Sequence, residues 1–160
     1  MRQIKEQKEE GAHFIGIWRF TIRDEKTGKV KRVYEYKNLI PTVGRTAIAN
    51  HLSDATPDIP NLRVNYSALG TNTTAPANGD TQLGTETFRK AIASETNSNN
   101  VAYFTAFYTA AEVSGTFREA ALFINATATA NSGTLFSRVA INITKSLTET
   151  LTIDYTVTIV

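Results

Sequence analysis

Three arginines, Arg89, Arg118 and Arg138, each stand beside an apolar residue in a segment that reads as strand, and Glu86 and Glu119 lie close to them in sequence. A guanidinium held in such a place keeps its charge and needs carboxylate partners. If Arg89, Arg118, Glu119 and Arg138 converge, they form a structural ion-pair network, a commoner outcome than an anion site. The other groups with chemistry to offer lack companions. His13 and His51 lie in different segments and neither belongs to an HxH or HExxH spacing, so a metal would need carboxylates brought in by the fold. "HLSD" places His51, Ser53 and Asp54 together, but positions i, i+2 and i+3 of a helix do not present nucleophile, base and orienting group to one another. Ser53 and Asp54 read instead as the end of that helix.

No GxSxG elbow, P-loop or dinucleotide fingerprint occurs, and the glycines are isolated turn residues. The carboxylate pairs Glu9/Glu10 and Asp24/Glu25 fall in charge-rich arm or turn segments where carboxyl groups stay hydrated. "NGD" and "TNSNN" offer oxygens without the alternating acidic spacing of a calcium loop. Four N-x-[ST] matches, at Asn65, Asn72, Asn125 and Asn142, arise readily in a chain rich in these residues. The expectation is a protein without catalytic, cofactor or metal residues, and not an enzyme. Trp18 and Tyr36 leave two readings open, a sugar-stacking platform or core packing, the second being commoner.

The elements that must carry these residues are mainly strands. "HFIGIWRFTIR" is aromatic and β-branched, "DEKTGK" supplies a turn, and "VKRVYEYKNLI" resumes an extended pattern, which together predict a β-hairpin. Pro41 and Gly44 then punctuate the chain, and Ala47, Ile48, His51 and Leu52 recur at helical spacing, predicting one short helix near 44–53 with Ala47, Ile48 and Leu52 buried. "ATPDIPN" ends it. "LRVNYSAL", "TFRKAIASE", "VAYFTAFYTAA", "GTFREAALFINA", "TLFSRVAINITK" and "TETLTIDYTVTIV" follow as strands separated by short polar breaks. That spacing predicts an antiparallel β-sandwich, jelly-roll or Ig-like, over residues 12–160, preceded by a polar arm over 1–11. In the last strand Leu151, Ile153, Tyr155, Val157 and Ile159 alternate with threonines and Asp154, so one face is core. In "VAYFTAFYTA" aromatics point both ways, Tyr103 and Phe107 against Phe104 and Tyr108, which predicts a strand covered on both faces, with a neighbouring subunit as a candidate cover.

At 160 residues and 41% apolar composition the chain suffices for one buried core. With no cysteine, packing and backbone pairing must hold it together, as suits a reducing cytoplasm. The opening "MRQIKEQKEEG" lacks the apolar stretch of a secretory leader, and no run approaches the roughly 20 apolar residues of a membrane-spanning helix, so a soluble product of the cytosol is expected. Residues 1–50 carry 11 basic and 6 acidic side chains and residues 51–160 carry 6 and 9. The positive charges are interleaved with acidic ones, which favours an ordinary solvated surface over a nucleic-acid face.

Between two of the strands runs "ALGTNTTAPANGDTQLGTE", a long neutral excursion with Thr71, Asn72, Thr73, Thr74, Asn78 and Gly79. Loops of this length in a compact domain tend to be functional or partner-bound. It reads either as an assembly loop that wraps a partner through backbone and hydroxyl hydrogen bonds or as an Ω-type loop packed on its own domain.

"NLIPTVGRTAIANHL", "YSALGTNTTAPANGDTQLGTETFRKAI", "GTFREAALF" and "SLTETLTIDYTVTIV" resemble a recurring type of small β-rich structural protein of tailed bacteriophages. The likeness rests on Asn38 to Gly44, Ala68 to Leu83, Arg118 to Phe123 and Thr148 to Val160, and it spans most of the chain after Gly28. It carries no catalytic or ligand residue. What the resemblance implies is a non-enzymatic virion subunit made in the host bacterial cytoplasm, its partners being copies of itself and other virion proteins, without nucleic acid or membrane. A tail-associated subunit, at a fibre attachment or baseplate, is the first such role and a capsid decoration or cement protein the second. A carbohydrate-binding module, recognising a host surface glycan through Trp18, is the reading from another class.

Overall fold

The computed structural model describes residues 13–53 and 62–160; the 1–11 arm, Asp54 and the "ATPDIPN" segment lie outside them. The described chain forms β1 (Phe14–Asp24), β2 (Val30–Lys37), α1 (Thr42–Ser53), β3 (Val64–Gly70), β4 (Glu86–Ala91), β5 (Ser94–Ser98), β6 (Val101–Tyr108), β7 (Gly115–Ile124), β8 (Thr134–Lys145) and β9 (Glu149–Ile159). They make two antiparallel sheets, one of five strands in the order β2-β1-β9-β6-β5 and one of four in the order β4-β3-β7-β8. This is the expected sandwich with one helix. Successive hairpins alternate between the sheets, and β9 returns to lie between β1 and β6.

The period-two pattern decides which side chains enter the core. Trp18, Phe20 and Ile22 of β1 and Leu151, Ile153, Tyr155 and Val157 of β9 face Leu122, Ile124, Val139, Ile141 and Ile143 of the other sheet, all in one buried cluster. Trp18 is fully buried, stacked on Phe20 at 5.8 Å and tilted against Tyr155 at 5.0 Å. Its indole N–H donates to Ser137 Oγ at 3.2 Å, and Asn38 Nδ2 donates to both Ser137 Oγ and Tyr155 Oη. Tyr36 packs edge-on against Phe20. The sugar-stacking platform is thereby overturned: the indole ring is the centre of an aromatic core, with its one polar atom satisfied inside.

Three expectations need local correction. "TFRKAIASE" is two strands, because the Ile92 N–H still bonds Asn65 O beside β3 whereas the Ala93 N–H bonds Thr105 O on β6, so the chain changes sheets in one residue. β5 then runs into "TNSNN", and the turn is made by Asn99, in the left-handed conformation at φ 50°, with Asn100. On α1, Gly44 and Ala47 are buried but Leu52 is 82% exposed, because the helix meets β8 through its first half and its last turn is exposed. Finally, Tyr103 and Phe107 remain about two-fifths exposed, so the described residues leave the outer face of β6 uncovered. No helix among the described residues is long and apolar enough to cross a membrane.

Gly44 sets how closely α1 approaches the sheet, since a Cβ there would stand 2.8 Å from Phe136 O and 2.9 Å from Leu135 O. Glycine to alanine inside a helix ordinarily stabilises by roughly 0.8–1.0 kcal/mol. Gly44→Ala is expected to reverse that sign, destabilising by about 1–3 kcal/mol through overpacking against backbone. Urea midpoints would check it: a midpoint at or above wild type would mean α1 does not pack where Gly44 places it.

Candidate functional site

The carboxylate of Glu119, on β7, is fully buried. It accepts five hydrogen bonds: from the backbone N–H groups of Asn72 (3.3 Å), Gly84 (3.0 Å) and Thr85 (2.8 Å), and from Arg138 Nε (3.2 Å) and Nη2 (2.8 Å). Arg138, on β8, is 3% exposed at its side chain and gives its remaining bonds to Asp80 Oδ2 and to Thr74 O. Its backbone exchanges two hydrogen bonds with Leu39, the link between β2 and α1. One ion pair thus holds both ends of the long excursion, its middle and the approach to the helix.

The excursion is a loop packed on its own domain. Leu83 is its apolar anchor, buried among Ala68, Ala121, Phe123 and Leu135 on the outer face of the four-stranded sheet. Asn72 Oδ1 accepts the Thr74 N–H in a local turn, and Asp80 accepts that of Ala77. Asn78 O accepts the Thr42 N–H at the start of α1, and Arg45 bridges Thr42 and Asn78. Thr71, Thr73, Thr74, Asn78 and Gly79 are nonetheless exposed, and Asn72 is half-buried. Asn72, Thr74, Asp80, Gln82 and Arg138 are among the residues around an open polar depression of about 290 Å3.

Arg89 builds a second cluster. It makes a bidentate pair with Glu86, donates to Thr127 O and to Ser132 O and Oγ, and lies over the Phe123 ring at 4.7 Å. Glu86 also accepts the Asn131 N–H, so this pair holds the 125–133 turn. Arg118 joins neither cluster. It is half-buried at a register shift between Phe117 and Glu119 and makes no ion pair among the described residues, so the expected convergence holds for Arg138 and Glu119 alone.

Sequence reasoning missed two further charged anchors. Lys145, 1% exposed at the end of β8, donates to Ala110 O, Val113 O and Ser146 O, using all three ammonium protons on backbone. Burial lowers its pKa below the ordinary lysine value, an effect that Glu149 and Glu112 partly offset. Glu149 accepts from Ser146 N–H and from Arg32. Burial alone would raise its pKa, but that N–H and the Arg32 guanidinium more than compensate and hold it below the usual range. Asp80 behaves likewise, burial being outweighed by the Ala77 N–H and Arg138. No signal marked Lys145 beyond its place at the end of an apolar strand.

His13 precedes β1 and His51 lies on α1. Among the described residues no group of three His, Cys, Asp or Glu side chains could hold a metal ion. Asn65, one of the four glycosylation-type matches, has its side-chain amide bonded in both directions to Ala126. The arrangement is suited to tying loops to strands, since the buried carboxylates and cations already spend their bonding capacity on one another and on backbone. Compared with known proteins, the chain matches no family model, no curated protein and no solved structure.

Glu119→Gln removes the fully buried carboxylate of the pair, leaves Arg138 with Asp80 as its one remaining anion, and should destabilise the fold by up to about 3–5 kcal/mol. Hydrogen exchange should then speed at Asn72, Gly84 and Thr85, whereas Glu86→Gln should loosen Thr127 to Ser132 and leave those three amides protected. Equal effects of the two variants on both loops would contradict separate clusters. A pH prediction follows from Asp80 and Glu149, whose pKa values fall on folding from 3.8 and 4.5. A carboxylate with a lowered folded pKa contributes stability that is complete above the unfolded value and lost as pH falls through the folded one. Thermal midpoints should therefore fall on acidification below about pH 4.5, and less steeply in Glu149→Gln.

Proposed function

We propose that this chain is a non-enzymatic structural subunit of a tailed-bacteriophage particle, in first place a tail-associated one at a fibre attachment or baseplate. The observation that carries the reading is where the resembling segments meet. Asp80 of the ALGT segment and Glu119 of the REA segment come together at Arg138, although they lie 39 residues apart, and Leu83 of the first packs on Ala121 and Phe123 of the second. Two of the resembling segments therefore meet in one spatial unit, a neutral loop clamped over the four-stranded sheet, and the residues that join them are architectural. A rigid domain whose loops are tied down and whose five-stranded sheet keeps Ile15, Ile17, Val33, Tyr103 and Phe107 exposed suits a part that is built into something larger.

Immunogold labelling of source particles tests this directly. Label confined to the tail is expected. Label spread over the shell would make the protein a capsid decoration instead, and particles carrying no label would remove the virion reading altogether. Deleting Met1 to Gly11 should in addition abolish incorporation while leaving a folded domain; full incorporation of the truncated chain would discard the arm as an anchor.

A further inference from the structure

We infer that the outer face of the five-stranded sheet binds the same face of a second copy, about a two-fold axis that runs parallel to the strands between β1 and β9. Strand register lays that face out in rows. One row reads Lys37, Ile17, Thr156, Tyr103 from β2 to β6; the next reads Glu35, Arg19, Asp154, Thr105; the third reads Val33, Thr21, Thr152, Phe107. A charged row thus lies between two rows that each carry exposed apolar side chains.

An axis along the strands exchanges β1 with β9 and β2 with β6 of the second copy while keeping every row on itself. Arg19 then meets Asp154 of the other copy, twice by symmetry. Val33 meets Phe107, Ile17 meets the smaller Thr156, and the Lys37 ammonium meets the Tyr103 ring, so apolar side chains sit on apolar ones, a cation on an aromatic face and unlike charges on each other. The groups are available: Arg19 is about half exposed and its contact with Glu35 is a loose 3.6 Å, and Asp154 accepts one hydrogen bond, from Thr105, on Oδ1. The alternative in-plane axis, across the strands, would set Arg19 on Arg19 and Asp154 on Asp154. Like charges facing one another across an interface disfavour that arrangement. Aligned sheets pack about 10 Å apart with their strands within about 30°, which the register near the axis accommodates.

The opposite face of the sandwich is closed by Leu83 and its loop, so among the described residues face-to-face contact has one open sheet to use. Self-association of this kind rests on the assembly reading above and specifies its first partner. Sedimentation of the full chain tests it, with buried Trp18 emission as the check that each variant is folded. Wild type should sediment as a dimer. Arg19→Asp and Asp154→Arg should each weaken association at least about tenfold, because each places like charges at both symmetric contacts. The double variant should dimerise again, although the in-chain Glu35 contact is still lost, and Phe107→Lys should give monomer without touching any ion pair. A monomeric wild type, a folded double variant that stays monomeric, or single variants that dimerise as wild type would each overturn the inference. The two readings fail separately: particle label with a monomeric chain removes only this interface, and charge-swap rescue without particle label removes only the virion role.

Discussion

The Glu119–Arg138 pair is the constraint on which the rest of the sandwich depends. Transferring both ions from water is unfavourable by several kilocalories per mole for each, and their mutual attraction offsets that only when the remaining lone pairs and protons are also bonded. Here the additional bonds come from the 72–85 loop and from Asp80. The pair cannot be buried without the loop, and the loop cannot hold its course without the pair. Gly70 belongs to the same requirement, since a Cβ there would stand 2.5 Å from Glu119 Oε1. Strand pairing, loop path and ion pair therefore form as one cooperative unit.

The same device recurs wherever a connection must be fixed. Arg89 and Glu86 secure the 125–133 turn, Lys145 secures the 110–113 segment, and Glu149 joins the β8–β9 turn to Arg32 of β2. In each, a charged side chain anchored at a strand bonds the backbone of a neighbouring loop. A chain without cysteine has no covalent staple, and charge-assisted hydrogen bonds, roughly twice as strong as neutral ones, serve as its cross-links. The described structure leaves no buried side-chain nitrogen or oxygen without a partner.

Much of the architecture was legible because period-two alternation reports directly on a half-buried strand. β9 is the clearest case, with Leu151, Ile153, Tyr155 and Val157 buried as their spacing requires and only the terminal Ile159 exposed. The sheet change at Ile92 and Ala93 was not legible, because both halves of "TFRKAIASE" are strand and nothing in residue type reports which neighbour a strand chooses. Leu52 misled because helical spacing identifies a face but not how far the supporting strand extends beneath it. Of the site, Arg138 and Glu119 could be singled out since charges in apolar strands demand partners. Arg118 has the same sequence character, yet the register shift beside it removes it from the cluster, a backbone irregularity that no side-chain pattern announces.

The two faces of the sandwich differ for a reason rooted in the same ion pair. Clamping the loop over the four-stranded sheet covers Ala68, Ala121 and Phe123, so the second halves of β3 and β7 are buried on both sides and β7 there reads as the continuous apolar run Ala120 to Ile124. Among the described residues the five-stranded sheet has no such cover. Its edge strands discourage lateral pairing, β2 through Lys31, Glu35 and Lys37 and β5 through its five short polar residues. What stays open is a central face of β1, β9 and β6 where threonines alternate with isolated large apolar side chains and one pair of opposite charges. A surface of that composition is hydrated enough to keep a free chain from aggregating and apolar enough to be worth covering. By closing one sheet internally and guarding the edges of the other, the described residues leave a single sheet face open to contact.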